Sequence, residues 1–251
     1  KKFINSYQEK GCKPSYINGK LNAIHILYKY LEEEELLPYG SNPTCKVKRL
    51  IKDKPQIIVF NDTEISAMIK RHDTSTFRGM RDKVIIMLLA DTGIRAAEIC
   101  DIKLVDMTDT QLIIRFGKGR KQRSVYLSPA LKKVLFRYYR LKAQYFEDKN
   151  YQDVGVYLFV SYRGSKLTIE TIERVVRLAG ERAGVRQEVR CSPHTIRHWW
   201  AMYQVENDQD IHTISHLLGH SDLATTQIYL QGISDISVVK KGMKTSPLMN
   251  L

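Results

Sequence analysis

The chain is poor in the residues that staple or loosen a fold. Four cysteines, Cys12, Cys45, Cys100 and Cys191, stand far apart with no Cys-x-x-Cys pair. That spacing argues against a disulfide framework and a zinc site, and it suits a reducing compartment. Fourteen glycines and seven prolines in 251 residues are too few for a disordered or low-complexity chain. No apolar run approaches the length that spans a bilayer. The opening Lys1-Lys2-Phe3-Ile4-Asn5-Ser6 has charge without an apolar core behind it, so it is not a signal peptide. These absences predict a soluble, cytoplasmic chain. Acidic residues are also short: 27 against 40 basic ones, a formal charge of +13. Such a surplus suits a polyanion, because each neutralised phosphate releases counterions. A membrane surface would call for a basic amphipathic helix, and none stands out.

Hydrophobic residues make up 43% of the chain, enough for a core. Their spacing predicts a mainly α fold with a small antiparallel β-sheet. A short helix is expected around Phe3–Glu9. A longer one follows Pro14, with Ile17, Leu21, Ile24, Tyr28 and Leu31 on one face. Glu32–Glu35 reads as a solvated helix end, and Pro38, Gly40 and Pro43 break the chain. Lys46, Lys48, Arg49, Lys52 and Lys54 form an exposed basic linker. The expected division is 1–54, helices and linker, and 55–251, a second domain with a C-terminal tail. In that domain Asn61 to Glu64 reads as a capping box. Lys83–Ala90 reads as a buried helix. Leu112–Phe116 and Ser124–Leu127 read as a hairpin, and Ser128-Pro129 as the start of a long helix. Tyr157–Val160 reads as a short strand. Further helices are expected at Thr168–Gly184, Pro193–Val205, Asp208–Leu218 and Leu223–Leu230, with Gly219 as a C-cap.

Four patches hold residues able to do chemistry. Arg95 follows the buried helix, where a charge needs a partner such as Glu98 or Asp91. The turn Gly117-Lys118-Gly119-Arg120-Lys121-Gln122-Arg123 lacks the spacing of a phosphate-binding loop. Its four cations fit a finger laid on a phosphate backbone, or simply a solvated turn. His194 and Arg197 are three apart on a predicted helix, so they share a face. Arginine offers phosphate a planar fork, and histidine shuttles protons near neutral pH. His220 follows Gly219, with Tyr229 nine residues on. His212, His216 and His220 repeat every four residues as metal ligands would. Thr213 stands where such a site needs glutamate, and Gly219 ends the helix before His220, so no metal is expected.

Taken in order, these patches resemble the tyrosine recombinase (integrase) family. Thr92–Ile99 resembles its first arginine box, and Phe116–Arg123 its β-hairpin lysine. His194–His198 resembles its His-x-x-Arg-His box, and Leu218-Gly219-His220 to Tyr229 its Leu-Gly-His box and nucleophile spacing. The likeness covers about Asp62 to Leu230. It implies a helical core-binding part joined to a catalytic domain of the DNA breaking-rejoining fold. It implies that Arg95 and Arg197 clamp the scissile phosphate, that His194 and His220 complete the donors, that Lys118 protonates the leaving oxygen, and that Tyr229 attacks. Glu98 matches a supporting position. Lys46, Lys48, Arg49, Arg120, Lys121 and Arg123 become expected DNA contacts. Trp199-Trp200 and Tyr126 depart from the family pattern beside the site. Lys2–Gly11 and Ser15–Leu37 look like the last two helices of the core-binding domain, so its first pair is expected upstream of Lys1 or removed.

The resemblance further implies double-stranded DNA carrying specific sites, a homo-tetramer, accessory proteins, no cofactor, and a prokaryotic, nucleoid-associated setting. Ile233, Ile236 and Val239 suit a tail helix docking on its own or a neighbouring protomer. Integration or excision of a mobile element or phage is the first functional expectation. A DNA-binding module without turnover, and a type IB topoisomerase or resolvase, are the alternatives.

Overall fold

The computed structural model describes residues 2–51, 58–115, 122–151, 155–220 and 222–227. The chain divides into two compact units, Lys1–Gln56 and Ile57–Leu251.

The first unit holds α1 (Lys2–Glu9) and α2 (Pro14–Glu33). Pro14 opens α2, where its missing N–H costs nothing. Ile17 and Leu21 are buried on the predicted face. The following loop is tied back by amides. Asn18 exchanges two bonds with the backbone of Leu50, at 2.9 and 3.0 Å. Glu32, expected to be a solvated helix end, instead accepts the Asn42 backbone N–H at 2.8 Å. Lys46, Lys48 and Arg49 are exposed, and Arg49 donates to Asn22 Oδ1 at 3.2 Å.

The second unit runs α3 (Asp62–Lys70), α4 (Phe77–Thr92), α5 (Ala96–Asp101), a 3-10 turn at Leu104–Asp106, β1 (Gln111–Ile114), β2 (Arg123–Tyr126), α6 (Pro129–Glu147), α7 (Ile169–Ala183), α8 (Pro193–Glu206), α9 (Ile211–Leu218) and α10 (Ala224–Gln227). α4 is the central helix, packed against α3, α6, α7 and α8. Val84, Ile85, Ile86 and Leu89 are wholly buried, which suits a helix covered on all sides. α3 starts with the predicted capping box: Asn61 accepts the Glu64 N–H at 2.8 Å, and Glu64 accepts the Asn61 N–H at 2.9 Å. Ser128 caps α6 with Pro129 behind it. β1 and β2 pair antiparallel with Gln111 opposite Tyr126 and Ile114 opposite Arg123.

The expected strand at Tyr157–Val160 is not one. Leu158, Phe159 and Val160 are buried, but side chains take much of the segment's polar backbone. Lys142 Nζ donates to the carbonyls of Tyr157 (2.7 Å) and Leu158 (3.2 Å). Tyr138 Oη also donates to Leu158, at 2.9 Å, and Arg81 Nη1 to Val160, at 3.1 Å. With helices α4 and α6 supplying donors, the segment needs no sheet partner and keeps only isolated bridges to Lys103 and Lys166.

Candidate active site

A cavity of about 630 Å³ opens where α5, α8 and the end of α9 meet. Arg95, His194, Arg197 and His220 all line it. Each arrives by a local device. Gly93 ends α4 in the left-handed conformation, with φ 62° and the Trp200 ring against its Cα, and so turns the chain toward Arg95. Ser192 caps α8, placing His194 in its first turn with Arg197 and His198 beyond. Gly219 ends α9, again left-handed, so His220 leaves the helix and does not share a face with His212 and His216. Among the described residues, no cluster of three histidine, cysteine or carboxylate groups is placed to hold a metal ion.

The end of α9 is held by three arginines. Arg123 Nε donates to Leu217 O at 2.7 Å, Arg197 Nη2 to Leu218 O at 2.7 Å, and Arg95 Nη2 to Gly219 O at 3.1 Å. A helix leaves its last carbonyls without backbone partners and negative in sum, and the guanidinium groups answer both needs. Arg197 also donates to Gly93 O at 2.8 Å, so it ties the end of α4 to the end of α9. It is 4% exposed.

Glu98 sits behind this group, buried. Its Oε1 accepts Arg95 Nη1 at 3.1 Å and Arg123 Nη1 at 2.8 Å. Its Oε2 accepts Arg123 Nη2 at 2.7 Å and the Arg95 backbone N–H at 2.8 Å. Burial works to raise the carboxyl pKa, but the paired guanidinium groups, Arg123 above all, hold it below the usual range. Arg95 pairs with Glu98 and not with Asp91, which instead accepts the Ser128 backbone N–H at 2.9 Å.

Arg123 was expected on a DNA surface, and the structure corrects this. It is 6% exposed, with its guanidinium turned inward in a two-bond fork on Glu98. The reason is strand alternation: Arg123 and Val125 face the core, while Ser124 and Tyr126 face out. Lys118, Arg120, Lys121 and Tyr229 lie outside the described residues.

The imidazoles are held toward the neutral form. Arg197 Nη2 lies 2.9 Å from His220 Nε2, and a guanidinium only donates, so Nε2 accepts. The His220 proton then sits on Nδ1 and is given to Thr226 Oγ1 at 2.7 Å. Burial, and then the charges of Arg197 and Arg95, push His220 down to about 4. Burial and then His194 push His198 down to about 4, and His194 itself is lowered by burial, Arg197 and Arg190. His194 and His198 share a bond between their Nε2 atoms at 2.7 Å. Outside the site, burial also lowers His72.

Each of these groups binds its proton less tightly folded than unfolded. Stability is therefore fully present above about pH 6.5 and is lost as pH falls below it, down to about 4 for His198 and His220. Any one such imidazole removes at most about 1.4 kcal/mol per pH unit below its unfolded pKa. Urea midpoints should stay flat from pH 8 to 7 and fall from pH 7 to 5; a rising midpoint on acidification contradicts the neutral assignment.

Gly219 yields a second measurable consequence. Its φ is 64°, and a Cβ there would lie 2.8 Å from Arg123 Nη1 and 3.1 Å from its Cζ. Gly219→Ala should cost about 1–3 kcal/mol of stability by urea unfolding, because the turn is strained and the guanidinium must give way. A variant that unfolds at the wild-type midpoint would show the arginine to be loosely placed.

Sequence reasoning missed Arg190 and Thr226. Arg190 is an exposed cation on the cavity wall, four residues before His194, and that spacing was its only signal. Thr226 is buried on α10 and gave no signal before its bond to His220 was seen.

Sequence comparison agrees with this geometry. The sequence model of the phage integrase family matches residues 59–233. The tyrosine recombinase XerC of Myxococcus xanthus is 32% identical over 213 residues, 84% of this chain and 70% of that protein. XerD of Lacticaseibacillus casei is 30% identical over 242 residues, 96% of this chain and 80% of that one. The XerH site-specific recombinase, solved on a palindromic difH substrate after cleavage, superposes with TM-score 0.76 at 21% identity, covering 99% of this chain and 71% of that one. With the arginine, histidine and Leu-Gly-His boxes drawn around one cavity, the chain belongs to the phage integrase family of tyrosine recombinases, the DNA strand-transferring site-specific recombinases.

Proposed function

We propose that this chain cuts and rejoins DNA at specific sites through a 3′-phosphotyrosine at Tyr229. One observation carries the reading most: Arg95, His194, Arg197 and His220, far apart in sequence, line the same cavity. A phosphodiester is an anion that repels nucleophiles, and attack adds charge to its non-bridging oxygens. Preorganised donors in a partly dry site stabilise that charge. Arg95 and Arg197 are already held by the carboxylate and carbonyls behind them, so little reorganisation is required when phosphate arrives.

In the forward step the Tyr229 oxygen bonds to phosphorus and the bond to the 5′ oxygen breaks. The phenolic proton leaves to a neutral imidazole or a phosphate oxygen, and Lys118 gives a proton to the leaving oxygen. The phosphotyrosine keeps the bond energy, so a second 5′ hydroxyl rejoins the strand without ATP. An anion in the cavity also favours protonated His194 and His220, so it opposes the burial and the arginine charges that lower them.

The exposed Lys46, Lys48 and Arg49, with Arg120 and Lys121, are the proposed backbone contacts, which fix register without reading sequence. A tetramer on two duplexes, with integration or excision of a mobile element as the outcome, is the fuller form of this reading. The test is a duplex nicked beside the cut site, so that the small fragment diffuses away. Covalent protein on the 3′ end is expected, followed by joining to a second duplex carrying a 5′ hydroxyl. Tight binding with no adduct would leave a DNA-binding module. Adduct and relaxation of supercoils without joining of two duplexes would leave a topoisomerase.

A further inference from the structure

We infer that Arg123 is a positioning residue of the phosphate clamp, acting through Glu98 on Arg95; the inference rests on the strand-transfer reading above. Two groups fix the Arg95 guanidinium, and Arg123 controls both. The first is Glu98 Oε1, 3.1 Å from Arg95 Nη1 and 2.8 Å from Arg123 Nη1. The second is Gly219 O, at the end of the helix whose Leu217 carbonyl Arg123 holds at 2.7 Å. The Arg123 guanidinium also lies directly under Gly219, where any Cβ would meet it.

The asymmetry of exposure supports this order. The Arg95 side chain is 28% exposed at the cavity mouth, whereas those of Arg123 and Glu98 are 4% and 3% exposed. Arg123 therefore cannot meet phosphate itself. A buried carboxylate with only Arg95 for a charged partner would draw that guanidinium inward, away from an anion in the cavity. With Arg123 taking both oxygens in a fork, Glu98 is satisfied from behind, and Arg95 gives one side-chain N–H to it and one to Gly219 O, leaving the other three for an anion. Lysine cannot do the same, because a point ammonium cannot bridge both carboxylate oxygens and also reach Leu217 O.

The test is a cycle of single-turnover adduct rates on the nicked duplex, using the full chain. Arg123→Lys should bind DNA as the wild type does and form adduct on the order of 100-fold more slowly, the cost of a misplaced group. Arg95→Ala should lose about 100- to 1000-fold. The double variant should be no slower than Arg95→Ala alone to within about threefold, since one pathway has already been cut. Multiplying losses would overturn the inference, and so would a wild-type rate in Arg123→Lys. Arg123→Met combined with Glu98→Gln leaves no unpaired buried charge. It should show the same loss, dependent on Arg95, should the lysine variant fail to fold. Absence of adduct from the wild type would instead remove the strand-transfer reading, and that arm is read first.

Discussion

Phenylalanine at position 229 is expected to leave DNA bound and uncut. The substitution removes one oxygen and nothing else. It leaves Arg95, His194, Arg197 and His220 in place, so affinity for a duplex carrying the cut site should stay within about twofold, phosphate contacts being the main source of affinity. Adduct formation should fall by on the order of 10⁴-fold or more, as it does when a nucleophile acting as one unit with its base is removed. The chain has fourteen tyrosines, so the control matters. Tyr203 is exposed on α8 and packs on Trp199, and Tyr203→Phe should form adduct at the wild-type rate. Thr226, three residues before Tyr229, is already tied to the cavity through His220. Thr226→Val should therefore slow the adduct while sparing binding. Adduct persisting in Tyr229→Phe would place the nucleophile elsewhere and undo the reading of the whole site.

The sequence carried the local features of this site well and the tertiary ones poorly. Caps are local: Asn61 with Glu64, Ser128 before Pro129, and Gly219 after Leu218 were all legible, because each is a short-range bargain between a side chain or a glycine and a helix end. Arg123 failed for the opposite reason. In a run of cations beside glycines it read as one more exposed charge. Its burial is decided by Glu98, 25 residues back, and by a helix end 94 residues on. The Tyr157–Val160 segment failed in the same way. Four consecutive β-formers look like a strand until Lys142, Tyr138 and Arg81 are seen taking the carbonyls. The resemblance singled out Arg95, Arg197, His194 and His220, which line one cavity, but it said nothing of the three arginines on the end of α9. Those bonds exist only once α5, β2, α8 and α9 have met.

The same bonds make Arg95 and Arg197, the proposed clamp arginines, separable by experiment. Arg197→Ala should damage both folding and chemistry. It strips donors from the buried carbonyls of Gly93 and Leu218 and leaves a space between the ends of α4 and α9. Bonds to a charged donor are worth about 1.5–3 kcal/mol each, so the loss of two should reach about 3–6 kcal/mol by urea unfolding. Adduct rates measured on the folded fraction should fall a further 100- to 1000-fold or so, for the lost transition-state donor. Arg197→Lys should recover little, since one ammonium cannot span two helix ends. Arg95→Ala removes a partly exposed side chain and leaves Glu98 paired with Arg123. Its stability should stay within about 1 kcal/mol of wild type, and its DNA affinity within a few-fold, while the adduct rate falls as far as for Arg197→Ala. The two residues then differ in what holds the protein together and agree in what breaks the DNA. Equal loss of binding and cleavage in Arg95→Ala, or full stability in Arg197→Ala, would contradict that division. The first outcome would make Arg95 a ground-state contact, and the second would free the end of α9 from its dependence on the buried guanidinium.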